Sequence, residues 1–364
     1  MKRIAALVPN ILGVSPGQRV RIESWAQYLR EAGWTVDFYP FEDAGLHEII
    51  YSPGQAAGKA KRLLQCYLRQ LRVVFQGPPC DILFIYREAA LIGPAFLERL
   101  AKRLRVPIIY DLDDPVFIPY RSPMNGWFSL LKFPRKTNSL FRLSDRIIAI
   151  NNLIAEHAAR FNPAVSVIPN CVDIEKYQPK AKPLDAPVRL VWIGSHSTMP
   201  NLETISEPLR RLQETDNVPL RVIGVGEVNL PGVQAEVRQW SAETEVAELQ
   251  DCDVGLVPLT DLNWNLWKFF FKTVQYMATG LPVVARRMGS NVEIIEHGVN
   301  GFLVESEEEW YDCMRELVTN HDLRQRMGRA ARERVVAQYS TQSQMPRMVS
   351  VFEQVLEESK KPGA

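Results

Sequence analysis

The residues best equipped for chemistry fall in one stretch, Lys268-Phe269-Phe270-Phe271-Lys272-Thr273-Val274-Gln275, which follows an apolar run, Asp253-Val254-Gly255-Leu256-Val257, and an aromatic loop at 261–267. Lys268, Lys272 and Gln275 stand four and three apart, a spacing that puts them on one face of a helix over 267–278. Two ammonium groups in the first turns of a helix, where backbone N–H groups and the dipole already favour anions, suit a diphosphate. Gln275, one turn deeper, is placed to hydrogen-bond a neutral polyol such as ribose. A solvated lysine face on an amphipathic helix gives the same spacing. The opposite face, however, carries Phe269, Phe270, Val274 and Met277, so the helix is well buried, and buried lysines usually have an anionic partner.

Two further turns follow apolar runs. Gly289-Ser290-Asn291-Val292-Glu293 opens a short helix and reads either as a nest of backbone N–H groups for an anion or as an ordinary strand-to-helix turn capped by Ser or Asn. Gly194-Ser195-His196-Ser197-Thr198 is the third candidate, and His196 is the one histidine of five placed to touch a substrate. Earlier in the chain, Tyr110-Asp111-Leu112-Asp113-Asp114-Pro115 sets three carboxylates at a strand end. They could orient or deprotonate an acceptor hydroxyl, bind a metal, or cap a turn.

The elements that must position these groups alternate. Short β-branched runs at 3–8, 36–39, 82–85, 108–110, 146–150 and 165–168, then at 190–194, 220–225, 254–257, 282–285 and 301–304, are separated by helical patterns at 24–32, 93–103, 151–160, 202–214, 267–278 and 308–319. This predicts an α/β chain with parallel sheets and crossover helices. Prolines 169, 179, 183 and 187 interrupt a charged stretch and mark a linker. The expected organisation is two Rossmann-like, doubly wound domains facing a cleft. Residues 1–168 form the first domain, 169–188 the linker and 189–340 the second, with a helix over 341–364 that can return to the first domain. Ligands of such sheets lie at the carboxyl ends of the strands, where all three turns would converge.

Composition narrows the partners. With 43 basic and 42 acidic side chains in 364 residues the net charge is +1, which argues against duplex nucleic acid as the main partner. Five cysteines at no CxxC spacing argue against a zinc site or a disulfide framework, and for a reducing compartment. The N-terminal apolar run stops at Pro9-Asn10, too soon for a signal peptide, and no stretch approaches about 18 uninterrupted apolar residues. The expected location is cytoplasmic, including the inner face of the plasma membrane. Lys59, Lys61, Arg62, Arg69 and Arg72 alternate with Leu63, Leu64, Tyr67, Leu68, Leu71, Val74 and Phe75, and Trp127, Phe128, Leu130, Leu131, Lys132, Phe133, Arg135 and Lys136 repeat the mixture. Such basic amphipathic segments suit an anionic bilayer or, equally, the solvated face of a crossover helix.

From Leu190 to Ser340 the chain closely resembles the nucleotide-binding half of retaining GT-B glycosyltransferases of the group 1 and family 4 type, in the branch that builds surface polysaccharides. The resemblance is carried by Trp192-Ile193-Gly194-Ser195, Asp253-Val254-Gly255 with Pro258-Leu259, Lys268, Lys272, Gln275-Tyr276-Met277-Ala278, Gly280-Leu281-Pro282-Val283-Val284, Gly289, Asn291, Glu293-Ile294-Ile295, Gly298, Asn300-Gly301-Phe302 and Tyr339-Ser340. Pro169-Asn170-Cys171-Val172-Asp173 is similar to the family's Pro-Asn-Gly-Val-Asp turn, with cysteine in place of glycine. The N-terminal half matches more loosely, through Gly17-Gln18-Arg19 and the pattern Leu29, Gly33, Val36.

The resemblance implies transfer of a sugar from a nucleoside-diphosphate donor to a glycan or lipid-linked acceptor, with retention, no metal and no cofactor beyond the donor. It implies that the first domain, 1–168, binds the acceptor and the second, 189–340, the nucleotide sugar. It implies Lys268 and Lys272 at the leaving diphosphate, and Gly194, Ser195, His196, Gln275, Gly289, Ser290, Asn291, Val292 and Glu293 around the donor. Asp111 would be catalytic, with Gly17, Arg19, Asp113 and Asp114 on the acceptor side. Many members carry two glutamates with seven residues between them; here Trp267 and Gln275 hold those positions. A nucleotide-sugar epimerase on the same fold, or a nucleotide-sugar-binding subunit with impaired catalysis, are the rival readings.

Overall fold

The computed structural model describes residues 1–50, 52, 54–119, 133–183 and 186–361. The chain divides into two compact units, Met1–Asn170 with Met345–Ala364, and Cys171–Gln344. Each is built on a six-stranded, wholly parallel sheet, so the chain is α/β with two doubly wound sheets.

In the first unit the strands are β1 (Lys2–Val8), β2 (Trp34–Pro40), β3 (Ile82–Tyr86), β4 (Ile108–Leu112), β5 (Arg146–Ala149) and β6 (Val165–Val167), in the order β2-β1-β3-β4-β5-β6. Strands covered on both faces read as unbroken apolar runs, and every residue of β3 and β4 is buried. The terminal helix Thr341–Glu358 supplies Phe352, which stacks on Phe84 at 5.8 Å and meets Trp34 edge-on at 6.0 Å.

The second unit holds β7 (Leu190–Ile193), β8 (Leu220–Ile223), β9 (Ala235–Arg238), β10 (Val254–Val257), β11 (Val283–Arg286) and β12 (Gly301–Val304), ordered β12-β11-β10-β7-β8-β9. Strand order reverses between β7 and β10, which opens a crevice beyond their carboxyl ends. The helix Phe271–Ala278 is pinned beneath this point. Its Tyr276 is fully buried and its hydroxyl accepts the Ile193 N–H of β7 at 2.7 Å. Gly255 of β10 makes room for that ring, since a Cβ there would come within 2.4 Å of Tyr276 Cδ2.

The structure departs from the sequence reading in four places. The helix expected over 267–278 is two helices, Asn263–Trp267 and Phe271–Ala278, joined by an extended Lys268 (φ −73°, ψ 147°). The helix expected over 202–214 is likewise split into Met199–Glu203 and Ser206–Asp216. Edge strand β9 was not anticipated, because Ala235-Glu236-Val237-Arg238 has no apolar run; Glu236 instead pairs with Arg221 of β8 at 3.1 Å. The proline-rich stretch read as a linker contributes Val172 and Tyr177 to the apolar core of the second unit.

Replacing Gly255 by alanine forces the Tyr276 ring off the sheet. The expected cost is about 1–3 kcal/mol, read as a lower urea midpoint at an unchanged slope.

Candidate functional site

Three sequence-predicted turns of the second unit, Gly194–His196 after β7, 258–271 after β10 and Gly289–Glu293 after β11, lie at the carboxyl ends of its parallel strands. Lys272 occupies the first turn of the helix Phe271–Ala278, whose leading N–H groups have no partner within the helix. Its ammonium stands 4.8 Å from the centroid of the Trp192 ring, and Trp192, at the end of β7, is fully buried. No carboxylate pairs with Lys272 among the described residues. Desolvation, followed by the like charge of Lys268, pushes its pKa down to about 7 from an ordinary 10.5. The expectation of a shared helix face is corrected, because Lys268 precedes the helix on extended backbone; the two ammonium groups still act on each other.

The reason for the break is the turn after β11. Ser290 Oγ accepts the Phe270 N–H at 2.8 Å and the Ser290 N–H reaches Lys268 O at 3.4 Å, so these backbone groups bond across to the turn rather than along a helix. Gly289 (φ +55°) lets the two segments touch; a Cβ would lie 2.6 Å from Asn265 O. Asn291, fully buried, accepts from the Thr273 hydroxyl at 2.8 Å and donates to Arg286 O at 3.1 Å. The N–H groups of Asn291, Val292 and Glu293 are bonded to Met288, Gly289 and Ser290 carbonyls. Of the two readings of this turn, the structural one describes Ser290 and Asn291: they clamp the lysine segment. The Val292 side chain is exposed and Glu293 is half-buried.

After β7, Gly194 has no room for a Cβ, which would strike the Trp192 ring and Thr198 Oγ1. Ser195 and His196 are exposed, with the Ser195 N–H held by Thr198 Oγ1 at 2.9 Å. Gln275 is buried, and its amide donates to Glu245 Oε1 at 2.6 Å and to the Tyr177 hydroxyl at 3.0 Å. Tyr177 and the Trp240 indole N–H donate to the same carboxylate. Glu245, Trp240 and Tyr177 were missed in the sequence. They come from two distant segments, one at Tyr177 and one at 240–245, with no motif between them, and the second follows directly on the unanticipated β9.

The first unit brings its predicted residues together in a different role. Asp111, on β4, is wholly buried in a two-armed ion pair with Arg21, which also donates to Ile168 O at 2.6 Å. The expectation that Asp111 faces an acceptor is corrected: it neutralises Arg21 inside the unit, because an unpaired charge there would be costly. Arg87 binds Asp113 at 2.5 and 2.8 Å and Asp114 at 2.5 Å, and the Tyr86 hydroxyl donates to Asp113 at 2.7 Å. Burial opposes the charge on Asp113, but Arg87, Arg21 and Tyr86 outweigh it and hold the carboxyl below its usual range. Gly17 packs against this cluster, its missing Cβ leaving 2.6–2.9 Å to Tyr86, Asp113 and Arg87, while Arg19 is exposed. Of the second basic aromatic segment, Trp127, Phe128, Leu130, Leu131 and Lys132 lie outside the described residues. Lys136 is buried against Glu88, so it presents no surface charge.

With this geometry in hand, comparisons with known proteins place the chain. Residues 16–176 match Glycosyltransferase Family 4, and residues 186–320 match the glycosyl transferases group 1. The protein belongs to the GT-B glycosyltransferases. It is 25% identical over 370 residues to a sulfoquinovosyl transferase of Arabidopsis thaliana, spanning 91% of this chain and 70% of that protein. A shorter match, 28% over 92 residues and 24% of each chain, is to spore coat protein SA of Bacillus subtilis (strain 168). Its fold is similar to that of sucrose-phosphate synthase from Thermosynechococcus elongatus (TM-score 0.72, 14% identity, 98% of this chain and 100% of that one). It is also similar to that of Anabaena HepE solved with UDP (TM-score 0.69, 16% identity, 97% and 100%). No helix among the described residues is long and apolar enough to cross a membrane.

Lys272 gives this site a stability signature. Between pH 7 and 10.5 the unfolded chain binds a proton that the folded chain has released, so this group lowers stability most below pH 7 and the loss fades as pH rises. Lys272→Met should therefore be more stable than the parent by on the order of 2 kcal/mol near pH 6 and nearly equal to it near pH 10, measured by urea unfolding at both.

Proposed function

We propose that this glycosyltransferase moves a sugar from a nucleoside-diphosphate donor to a glycan or lipid-linked acceptor, with retained anomeric configuration, in the assembly of a surface polysaccharide. The observation that carries the reading is Lys272: a partly buried ammonium against the Trp192 ring, with no carboxylate among the described residues, beside Lys268, at the carboxyl ends of β7 and β10. Breaking the bond between sugar and diphosphate leaves positive charge on the sugar and negative charge on the departing phosphate. Cations already in place, with little water to reorganise, lower that barrier. In this reading Lys268, Lys272 and the first N–H groups of the helix Phe271–Ala278 take the leaving-group charge without a metal ion. The similar fold of HepE, solved with UDP and with UDP-glucose, supports a nucleotide-sugar donor.

The remaining donor contacts follow from position. Gly194 and Gly224, the latter at φ +98°, end β7 and β8 with bare backbone. The half-exposed Trp240 ring beside Gly224 offers a face for the base. Glu245, fixed by Tyr177, Trp240 and Gln275, sets the ribose side. Ser195, His196, Val292 and Glu293 border the same strand ends. On the acceptor side, Arg19 is exposed, and Gly17 and Asp114 border a surface that Arg87 rigidifies from beneath through the buried Asp113.

A second reading is favoured by Trp267. It stands where many relatives have a sugar-contacting glutamate, as a nucleotide-sugar-binding subunit of weak activity would. Product analysis with a labelled donor separates the readings: glycosylated acceptor with the donor's anomeric configuration supports transfer, and binding without transfer or hydrolysis supports the subunit.

A panel of nucleotide sugars examined by thermal shift identifies the donor, since a ligand bound only to the folded chain raises its melting temperature. Lys272→Ala should weaken every nucleoside diphosphate alike, by roughly tenfold to a hundredfold. Unchanged donor affinity and turnover in that variant would mean the phosphate lies elsewhere.

A further inference from the structure

The helix Ala56–Gln76, the connection from β2 to β3, turns three different faces to its surroundings. Leu63, Cys66, Gln70 and Val74 are buried against the first unit. Leu64, Leu68 and Phe75 point outward and are 58%, 54% and 73% exposed. Their spacing, four and then seven residues with the half-buried Leu71 between, keeps them in one line along the helix. Lys61 and Arg72 stand one turn away from members of this line, and Arg62 lies further round. All 21 residues include five cations and no carboxylate.

Two of the five cations are used internally. Lys59 donates to Ser52 O at 2.6 Å, and Arg69 donates to Phe41 O at 2.6 Å and Pro40 O at 3.0 Å. Lys61, Arg62 and Arg72 make no ion pair among the described residues. A crossover helix that merely covers a sheet needs polar groups on its outer face, and here that face is leucine and phenylalanine edged by cations.

We infer that this outer face is a peripheral contact surface for an anionic lipid bilayer. The apolar line would enter the boundary between headgroups and acyl chains while the flanking lysine and arginine side chains reach lipid phosphates. The chain as a whole carries only +1, so the attraction belongs to this helix and not to the net charge. A second copy of the chain is the poorer occupant: two-fold pairing of these faces would set each helix's cations, none of them balanced by an acid on the same helix, against their equivalents.

The test is independent of glycosyl transfer. The full-length protein is sedimented with vesicles of phosphatidylcholine alone and with vesicles containing about one-third phosphatidylglycerol. Binding should be at least roughly tenfold tighter to the anionic vesicles and should weaken with added salt. It should fall by a similar factor in Leu64→Gln/Leu68→Gln/Phe75→Gln and separately in Lys61→Gln/Arg72→Gln, with the donor-induced thermal shift unchanged in both. No binding by the parent protein, or equal binding by the apolar triple variant, overturns the inference. So does a dimer in analytical ultracentrifugation that the triple variant abolishes, since the face would then be an interface between copies.

Discussion

A partly buried positive charge with no carboxylate beside it among the described residues marks the second unit. Lys272 lies against the Trp192 ring and faces the like charge of Lys268. The ring returns only part of the lost hydration, since a cation over an aromatic face contributes about 0.5–2 kcal/mol. The folded chain therefore tolerates an unfavourable group at the point where β7 and β10 diverge. An arriving dianion would relieve it, which is what a site built to stabilise a leaving group requires. The surroundings are arranged to keep the charge there. Tyr276, seated over Gly255, fixes the helix to the sheet, and Ser290 with Gly289 holds the preceding segment extended so that Lys268 cannot wind away.

The first unit handles charge in the opposite way. Arg21 is matched by Asp111, Arg87 by Asp113 and Asp114, and Lys136 by Glu88. Each of these three cations has its acid, and breaking one side of such a pair costs far more than the pair contributes. These groups give the unit a rigid set of strand ends. Exposed charge lies elsewhere in the unit, including Arg19 and the outer edge of the helix Ala56–Gln76. Matched charges thus serve architecture in one unit, whereas the proposed donor site of the other keeps an unmatched one.

Much of this was legible from residue order. Largely apolar runs of three to six residues located eleven of the twelve strands, because a parallel sheet covered on both faces favours unbroken hydrophobicity. The exception, β9, is an edge strand stabilised by the Glu236–Arg221 pair, and a charged tetrapeptide carries no such signal. The lysines were found by spacing, but the spacing assumed one continuous helix. The hydrogen bond that breaks it comes from Ser290, a residue 20 positions away that local periodicity does not see. Asp111 was read as a reactive group from its place at a strand end. Its partner Arg21, 90 residues earlier, is invisible without the fold. The Tyr177, Trp240, Glu245 and Gln275 network was hidden for the same reason: each member alone is an ordinary residue in an ordinary segment.

The proposed role of Lys272 rests on the protonation of its side chain, and NMR of lysine-labelled protein, following its ε-methylene signal as pH is varied, observes it directly. In the free protein the signal should titrate near pH 7, and with saturating UDP its midpoint should move upward by at least about one unit, because a neighbouring diphosphate favours the charged form. A midpoint near the ordinary value of 10.5, unaltered by UDP, would contradict it.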